Sequence, residues 1–152
     1  MSRLSHIGPD GAPTMVDVGA KNVTCRRAVV EATLALKPAH RAALADNPKG
    51  NVLVTAQVAG IQAGKRCAEL IPLCHSVPLN FLDLKIEPVD AGLRITAIAE
   101  AEAVTGVEME AYVAAAIAGV TLIDMLKGID PDLTLGELRL LEKTGGKAPF
   151  KR

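Results

Sequence analysis

The pattern of apolar and polar residues predicts four β-strands, although segment 26–36 alternates poorly and is assigned from its β-branched residues. Segment 76–88 alternates apolar with charged residues, as expected for a strand with one buried face and one solvated face. The turn Asp90-Ala91-Gly92 and a second alternating run over 93–101 predict the returning strand of a hairpin. Segments 26–36 and 133–141 are predicted as the first and last strands, with an irregularity at Gly136. The expected inward side chains of the last three strands are Leu82, Leu84, Ile86, Leu93, Ile95, Ala97, Ala99, Leu133, Leu135, Leu138 and Leu140.

Helical segments are predicted over 38–46, 52–71 and 107–127. Asn51 is a suitable N-cap for the second, and Pro72 ends it because proline disfavours helical geometry in the preceding residue. The third is apolar on nearly every side, which is typical of a helix buried on more than one face. The order βαββαβ predicts a ferredoxin-like α+β sandwich, an antiparallel sheet covered by two long helices. We expect one domain over residues 1–152, with flexible ends over 1–13 and 145–152.

Composition narrows the classes of partner. Aromatic residues make up 2% of the chain and Lys+Arg equals Asp+Glu at 17 each, which argues against a nucleic-acid binder. Apolar stretches fall short of the roughly 18 charge-free residues of a membrane span. Three cysteines without framework spacing make disulfides unexpected and indicate a reducing cytoplasm.

A run near the middle of the chain places two reactive side chains just beyond a predicted helix end. It reads Leu70-Ile71-Pro72-Leu73-Cys74-His75, and polar residues held between two apolar segments are well placed to form a site. The spacing of Cys67, Cys74 and His75 fits none of the common structural zinc patterns, so no metal ligand is expected. Alternatively, His75 is a satisfied structural histidine and Cys74 a small buried hydrophobe.

Polar residues of the last predicted helix form a stripe. Glu110, Thr121 and Asp124 fall within about 60° of one another, yet Glu110 and Asp124 lie roughly 21 Å apart along the axis. One small substrate can hardly touch both ends, which favours an oligomer with more than one chain per site. Alternatively, these residues have no role in a site. Asp124 and Lys127 then form only a helical ion pair, and Glu108 and Glu110 only interact favourably with the positive end of the helix dipole.

Basic residues near the C-terminus surround a diglycine, in the run Glu142-Lys143-Thr144-Gly145-Gly146-Lys147. Such a segment can close over a phosphate through its amides and ammonium groups, or it can be a solvated terminus.

In combination, these motifs resemble the MoaC family. The strings Leu70–His75 and Thr105–Ala111 are the most specific, and Asp17-Val18, Lys49-Gly50, Asp124-Met125…Lys127 and Lys143…Lys147 follow the family order. The resemblance covers about residues 5–147. It implies a ferredoxin-like subunit in a hexamer, a trimer of dimers, with sites at a subunit boundary. It also implies conversion of 3′,8-cyclo-7,8-dihydroguanosine triphosphate to cyclic pyranopterin monophosphate with release of pyrophosphate.

The resemblance further assigns roles to residues. Asp124, Lys127 and Lys49 are the implied catalytic groups. The residues implied to line the substrate pocket are Leu73, Cys74, His75, Glu108, Met109 and Glu110, and the two carboxylates among them suit the donor-rich edge of the base. The candidate phosphate contacts are Arg26, Lys21, Lys65, Lys143 and Lys147. No cofactor is expected beyond Mg²⁺ that can accompany the triphosphate. The chain departs from the family pattern at Asn51, Gln57, Cys67 and Ile123.

Two other classes of function fit the same fold. A small-molecule-binding regulatory module would keep the helices and strands without needing Asp124, Lys127 and Lys49 to converge. An inactive structural subunit would need none of these polar residues. Binding without turnover would separate both classes from an enzyme.

Overall fold

A five-stranded antiparallel sheet forms one layer of the protein. This computed structural model describes residues 7, 8 and 10–152. The strands are β1 (Thr24–Ala35), β2 (Phe81–Val89), β3 (Gly92–Ala103), β4 (Thr134–Thr144) and β5 (Phe150–Lys151). They lie in the sheet in the order β2-β3-β1-β4-β5. The helices are α1 (Pro38–Ala42), α2 (Val52–Lys65), α3 (Cys67–Leu70) and α4 (Glu108–Leu126).

The predicted ferredoxin-like α+β class, an antiparallel sheet covered by two long helices, is confirmed. Strand β1 lies between β3 and β4, with Thr24 opposite Ala103 and Ala35 opposite Gly92. Its alternate residues Ala28, Val30, Ala32 and Leu34 are fully buried beneath the helices. The opposite face is polar and carries cross-strand ion pairs, such as Arg139 with Glu31 at 3.0 Å. One face of the sheet therefore forms the core, as period-two alternation requires.

Helices α2 and α4 cover the buried face and pack closely because glycines line their contact. A Cβ on Gly60 would lie 2.7 Å from the carbonyl oxygen of Ala114, and one on Gly64 would lie 3.0 Å from that of Glu110. Helix α4 is long and apolar enough to cross a membrane by length and composition. Its residues Ala111, Ala114, Ala115, Ala118, Leu122 and Leu126 are fully buried in the core, so α4 is the central helix of this domain.

Three details of the predicted elements are wrong. The helix over 52–71 breaks at Arg66, where α2 ends and α3 turns Cys67 into the core, so tertiary burial overrides helical periodicity. The strand over 76–88 begins only at Phe81, because just before it the N–H of Glu102 on β3 donates to the Asn80 side chain (2.7 Å) and not to a β2 carbonyl. Leu138 is exposed rather than inward, since a bulge at Glu137 (φ 54°), next to the expected irregularity at Gly136, shifts the register.

The chain ends are described in part. Phe150 and Lys151, within the segment expected to be flexible, pair as β5 with Lys143 and Glu142. At the other end, Ile7 forms an isolated bridge with Pro13, while residues 1–6 and 9 of the predicted arm lie outside the described residues.

Candidate active site

A cleft of about 1040 Å³ opens where β1 begins, β3 ends and α4 begins. Its walls come from the segment 16–26, the loop 73–75, the turn 104–109 and the segment after β4. Nine of the residues singled out from the sequence line it, namely Lys21, Arg26, Leu73, Cys74, His75, Glu108, Met109, Lys143 and Lys147. The fold thus gathers predicted site residues that lie up to 126 positions apart in sequence.

The cationic side chains of the cleft differ in how firmly they are held. Arg26 donates from Nε to the carbonyl oxygen of Ala103 (3.1 Å) and from Nη2 to that of Val104 (3.2 Å). These two bonds fix the guanidinium plane and turn Nη1 toward Gly146. Lys143 is paired with Glu108 at 3.2 Å. A rigid guanidinium and nearby ammonium groups are suited to bind a polyphosphate.

The diglycine segment is attached to β1 and closes one side of the cleft. Thr24 Oγ1 donates to the carbonyl oxygen of Gly145 at 2.8 Å, and Gly145 has a φ of 84°. A Cβ on Gly145 would lie 1.8 Å from the carbonyl oxygen of Cys25. The left-handed backbone and the close approach both require glycine at position 145. The attachment to β1 keeps the diglycine segment in place and so holds Lys147 at the cleft.

His75 is oriented by one hydrogen bond. Its Nε2 lies 2.7 Å from the carbonyl oxygen of Val16, and a carbonyl can only accept, so Nε2 carries the proton. In the neutral ring, Nδ1 is then an acceptor. The structural interpretation of His75 therefore holds for Nε2, and its predicted contact to a substrate depends on Nδ1.

Glu110 is buried behind the cleft wall. Its side chain is 3% exposed, and Oε1 accepts from Cys74 Sγ at 3.7 Å. Burial raises the pKa of Glu110 above that of an ordinary glutamate, with nearby Glu108 adding to the effect. Burial, followed by the charge of Glu110, likewise raises the pKa of the Cys74 thiol and places that of Cys67 far above its usual range.

The three residues with implied catalytic roles converge at the opposite end of α4. Lys127 Nζ lies 2.7 Å from Asp124 Oδ1. Lys49 donates to the main-chain carbonyl of Asp124 at 2.6 Å and lies 3.7 Å from its carboxylate. The hydrogen bond from Lys127, followed by the charges of Lys127 and Lys49, lowers the pKa of Asp124. All three side chains are about half exposed.

Two separate clusters therefore exist on one chain. Glu110 and Asp124 lie on the same helix about 21 Å apart, so the cleft and the trio Lys49–Asp124–Lys127 cannot both touch one small substrate within a single chain. Lys65 is exposed at the end of α2 and is not among the described residues that line the cleft.

Sequence reasoning missed residues that position the site. Asn47 donates from Nδ2 to the carbonyl oxygen of Met125 (3.2 Å) and accepts from the N–H of Lys49 (2.9 Å), which ties the Lys49 turn to the end of α4. The turn sequence Asn47-Pro48-Lys49-Gly50 was the only signal of this role. No sequence pattern indicated that Thr24 would hydrogen-bond to the diglycine segment.

The departures from the family pattern have structural roles in this chain. Asn51 caps α2 by accepting from the N–H of Val54 at 3.1 Å. Gln57 donates to the carbonyl oxygen of Leu84 at 2.9 Å, and Ile123 packs against the core. Cys67 lies 3.7 Å from Cys74, sulfur to sulfur.

Comparison with known proteins agrees with the resemblance drawn from the sequence motifs. The sequence matches the MoaC family over residues 15–146. It is 44% identical over 150 residues to proteins named cyclic pyranopterin monophosphate synthase from Brucella ovis and Brucella abortus, and 43% identical to one from Brucella canis. Each alignment covers 96% of this chain and 91% of the relative.

Proposed function

This chain belongs to the MoaC family, and on that premise we propose that it is an enzyme catalysing the cyclic pyranopterin monophosphate synthase reaction of molybdenum cofactor biosynthesis. The substrate is 3′,8-cyclo-7,8-dihydroguanosine 5′-triphosphate, and the enzyme acts as a phosphorus–oxygen lyase. The observation that carries this proposal is the cleft, which places Arg26, Lys143 and Lys147 around one space beside His75 and Glu108.

The reaction makes two demands on the protein. A cyclic phosphate forms as the bond to pyrophosphate breaks, so positive groups must stabilise charge on the polyphosphate. Arg26, Lys21, Lys143 and Lys147 are suitably placed for this role. The purine ring must also open and the pterin ring must close, which requires proton transfer by positioned groups. The hydrogen-bonded trio Lys49–Asp124–Lys127 supplies donors and an acceptor for that step.

Turnover of the cyclised dihydro-GTP, followed as pyrophosphate release, tests the proposal. The wild type should release pyrophosphate, and Lys127→Ala should lose nearly all activity while remaining folded by circular dichroism. Lys85→Ala is the matched control, because Lys85 is an exposed lysine on β2 away from both clusters. Binding of the nucleotide without pyrophosphate release by the folded wild type would contradict the synthase and leave a regulatory binding module.

The two clusters lead to a proposal about assembly. We propose that the trio of one chain completes the cleft of another in a homo-oligomer, a hexamer built as a trimer of dimers. Support comes from the outer faces of the helices, where Val54, Val58 and Val120 are each more than half exposed. Apolar side chains on an outer helix face are suited to burial against a second copy.

Mixing two inactive variants tests the shared site. Lys127→Ala keeps an intact cleft and His75→Ala keeps an intact trio. Equal co-expression should restore about a quarter of wild-type activity, because one pairing in four joins the two intact halves. If each chain held a complete site, mixing would restore nothing.

The proposal for cofactors and compartment follows from the chemistry. The reaction has no redox step, so we propose that no resident cofactor takes part and that Mg²⁺ arrives with the triphosphate. Chelator-treated enzyme should then regain full activity with Mg²⁺ alone. All three cysteines are free, which fits our proposal that the protein works in the reducing cytoplasm.

A further inference from the structure

Three potential metal ligands meet behind the cleft wall, outside any role assigned above to a metal. They are Cys67 at the start of α3, Cys74 after Pro72 and Glu110 in the first turn of α4. Their ligand atoms all lie within 4.8 Å of one another. The Glu110 Oε2 atom is buried and has no hydrogen-bond partner among the described residues. A buried carboxylate oxygen left unpaired is costly unless something else binds it.

Two of the three ligand pairs already have the spacing of tetrahedral coordination. With metal–sulfur and metal–oxygen bonds of about 2.3 and 2.0 Å, two tetrahedral ligands stand about 3.8 Å apart for a sulfur pair and about 3.5 Å apart for sulfur and oxygen. The observed separations are 3.7 Å between the two sulfurs and 3.7 Å between Cys74 Sγ and Glu110 Oε1. The third pair, Cys67 and Glu110, lies within 4.8 Å and closes further when a cation binds all three.

We propose that Cys67, Cys74 and Glu110 form a binding site for a thiophilic divalent cation such as Zn²⁺. The cation displaces the two thiol protons, and the two thiolates and the carboxylate then occupy three of the four positions. Cys74 also lines the cleft, so the fourth position is open to a water molecule from that side. His75 is outside this cluster, because neither of its ring nitrogens is among the ligand atoms that lie within 4.8 Å of one another. Sequence spacing could not indicate this site, since Glu110 lies 36 residues beyond Cys74.

A cation suits this cluster better than a disulfide between the two cysteines. A disulfide would bring the two sulfurs from 3.7 Å to about 2.0 Å and would leave the buried Glu110 Oε2 without a partner. A cation between the three side chains would also bind the carboxylate.

Titration of the reduced, metal-free full chain with Co²⁺ tests the proposal. A single Co²⁺ per chain should produce thiolate-to-metal charge-transfer absorption in the near-ultraviolet, and Zn²⁺ should abolish it. Cys67→Ser should lose about half of that absorption and bind at least about tenfold more weakly, while Glu110→Gln should bind about tenfold more weakly with both thiolates retained. Cys25→Ser is the matched control, because Cys25 is exposed and outside the cluster, and it should behave as the wild type.

Alkylation of the wild type provides a test that needs no variant to fold. Zn²⁺ should protect Cys74 from alkylation by at least about tenfold and leave Cys25 unprotected, as peptide mass spectrometry would show. Absence of the charge-transfer band, equal alkylation of Cys74 with and without Zn²⁺, or loss of binding in Cys25→Ser would each overturn the proposal. None of these readouts depends on catalytic turnover, so they test this site separately from the proposed function.

Discussion

Replacing Gly145 with alanine should detach the diglycine segment from the cleft. The φ of 84° at Gly145 is disfavoured for alanine, and the new Cβ would lie 1.8 Å from the carbonyl oxygen of Cys25 and 3.2 Å from the Cα of Arg26. Both neighbours are backbone atoms of β1, which cannot rotate away as a side chain can. A Cβ essentially never approaches such an atom within 3.0 Å, so the two segments must separate by more than about 1 Å.

That displacement sets the size of the expected effect. The segment would lose the hydrogen bond from Thr24 and carry Lys147 away from the cleft. A misplacement of about 1 Å can cost about 100-fold in rate, equivalent to about 2.7 kcal/mol of transition-state stabilisation. Because phosphate contacts act in the ground state as well as in the transition state, we expect the loss of kcat/KM to arise mainly from a raised KM.

Gly11→Ala is the matched control for this substitution. Gly11 has a φ of 79°, close to that of Gly145, but a Cβ there would meet nothing within 4 Å. Gly11→Ala should lower the free energy of unfolding by only about 1 kcal/mol, the cost of a left-handed backbone at alanine, and should leave KM unchanged. The assay is pyrophosphate release against substrate concentration, with urea unfolding of both variants. If Gly145→Ala kept KM within about twofold of the wild type and unfolded like Gly11→Ala, the inferred role of the close approach would be refuted.

Three further predictions concern charge and packing. The pKa of Asp124, followed by NMR, should lie below that of an ordinary aspartate, and Lys127→Ala should raise it. The ion pair stabilises the fold at pH values above the ordinary aspartate pKa, and that stabilisation is lost as pH falls through the lowered pKa. The pKa of Glu110 is raised in the folded state, so the folded protein favours the protonated carboxyl. The stability that this provides is present at low pH and is lost as pH rises through the raised pKa. Metal-free Glu110→Gln should therefore gain stability over the wild type as pH rises, and a constant difference would contradict this. Gly60→Ala should lower the melting temperature by about 2–8 °C, because a Cβ 2.7 Å from a helix carbonyl overpacks the contact by about 1–3 kcal/mol, partly offset by helix propensity. Gly128→Ala, with nothing within 4 Å, should melt like the wild type.

Much of the fold followed from local patterns. The alternation over 93–101 and the turn at Asp90-Ala91-Gly92 correctly predicted the β2–β3 hairpin, because one-sided burial and turn chemistry act within a few residues. The break at Arg66 was not predictable in this way, and Gly136 indicated an irregularity but not that a bulge at Glu137 would turn Leu138 outward. Each depends on what the local segment packs against.

The site shows the same division. Motif order in the sequence identified the residues of the cleft and of the trio, and the polar stripe of α4 indicated that its two ends could not serve one small substrate in one chain. Only the tertiary structure joined Asn47 to the end of α4, Thr24 to Gly145, and Glu110 to Cys67 and Cys74. These contacts join residues 36 to 121 positions apart in sequence, so no local pattern predicts them. They arise because burying the apolar faces of the sheet and helices brings distant segments together.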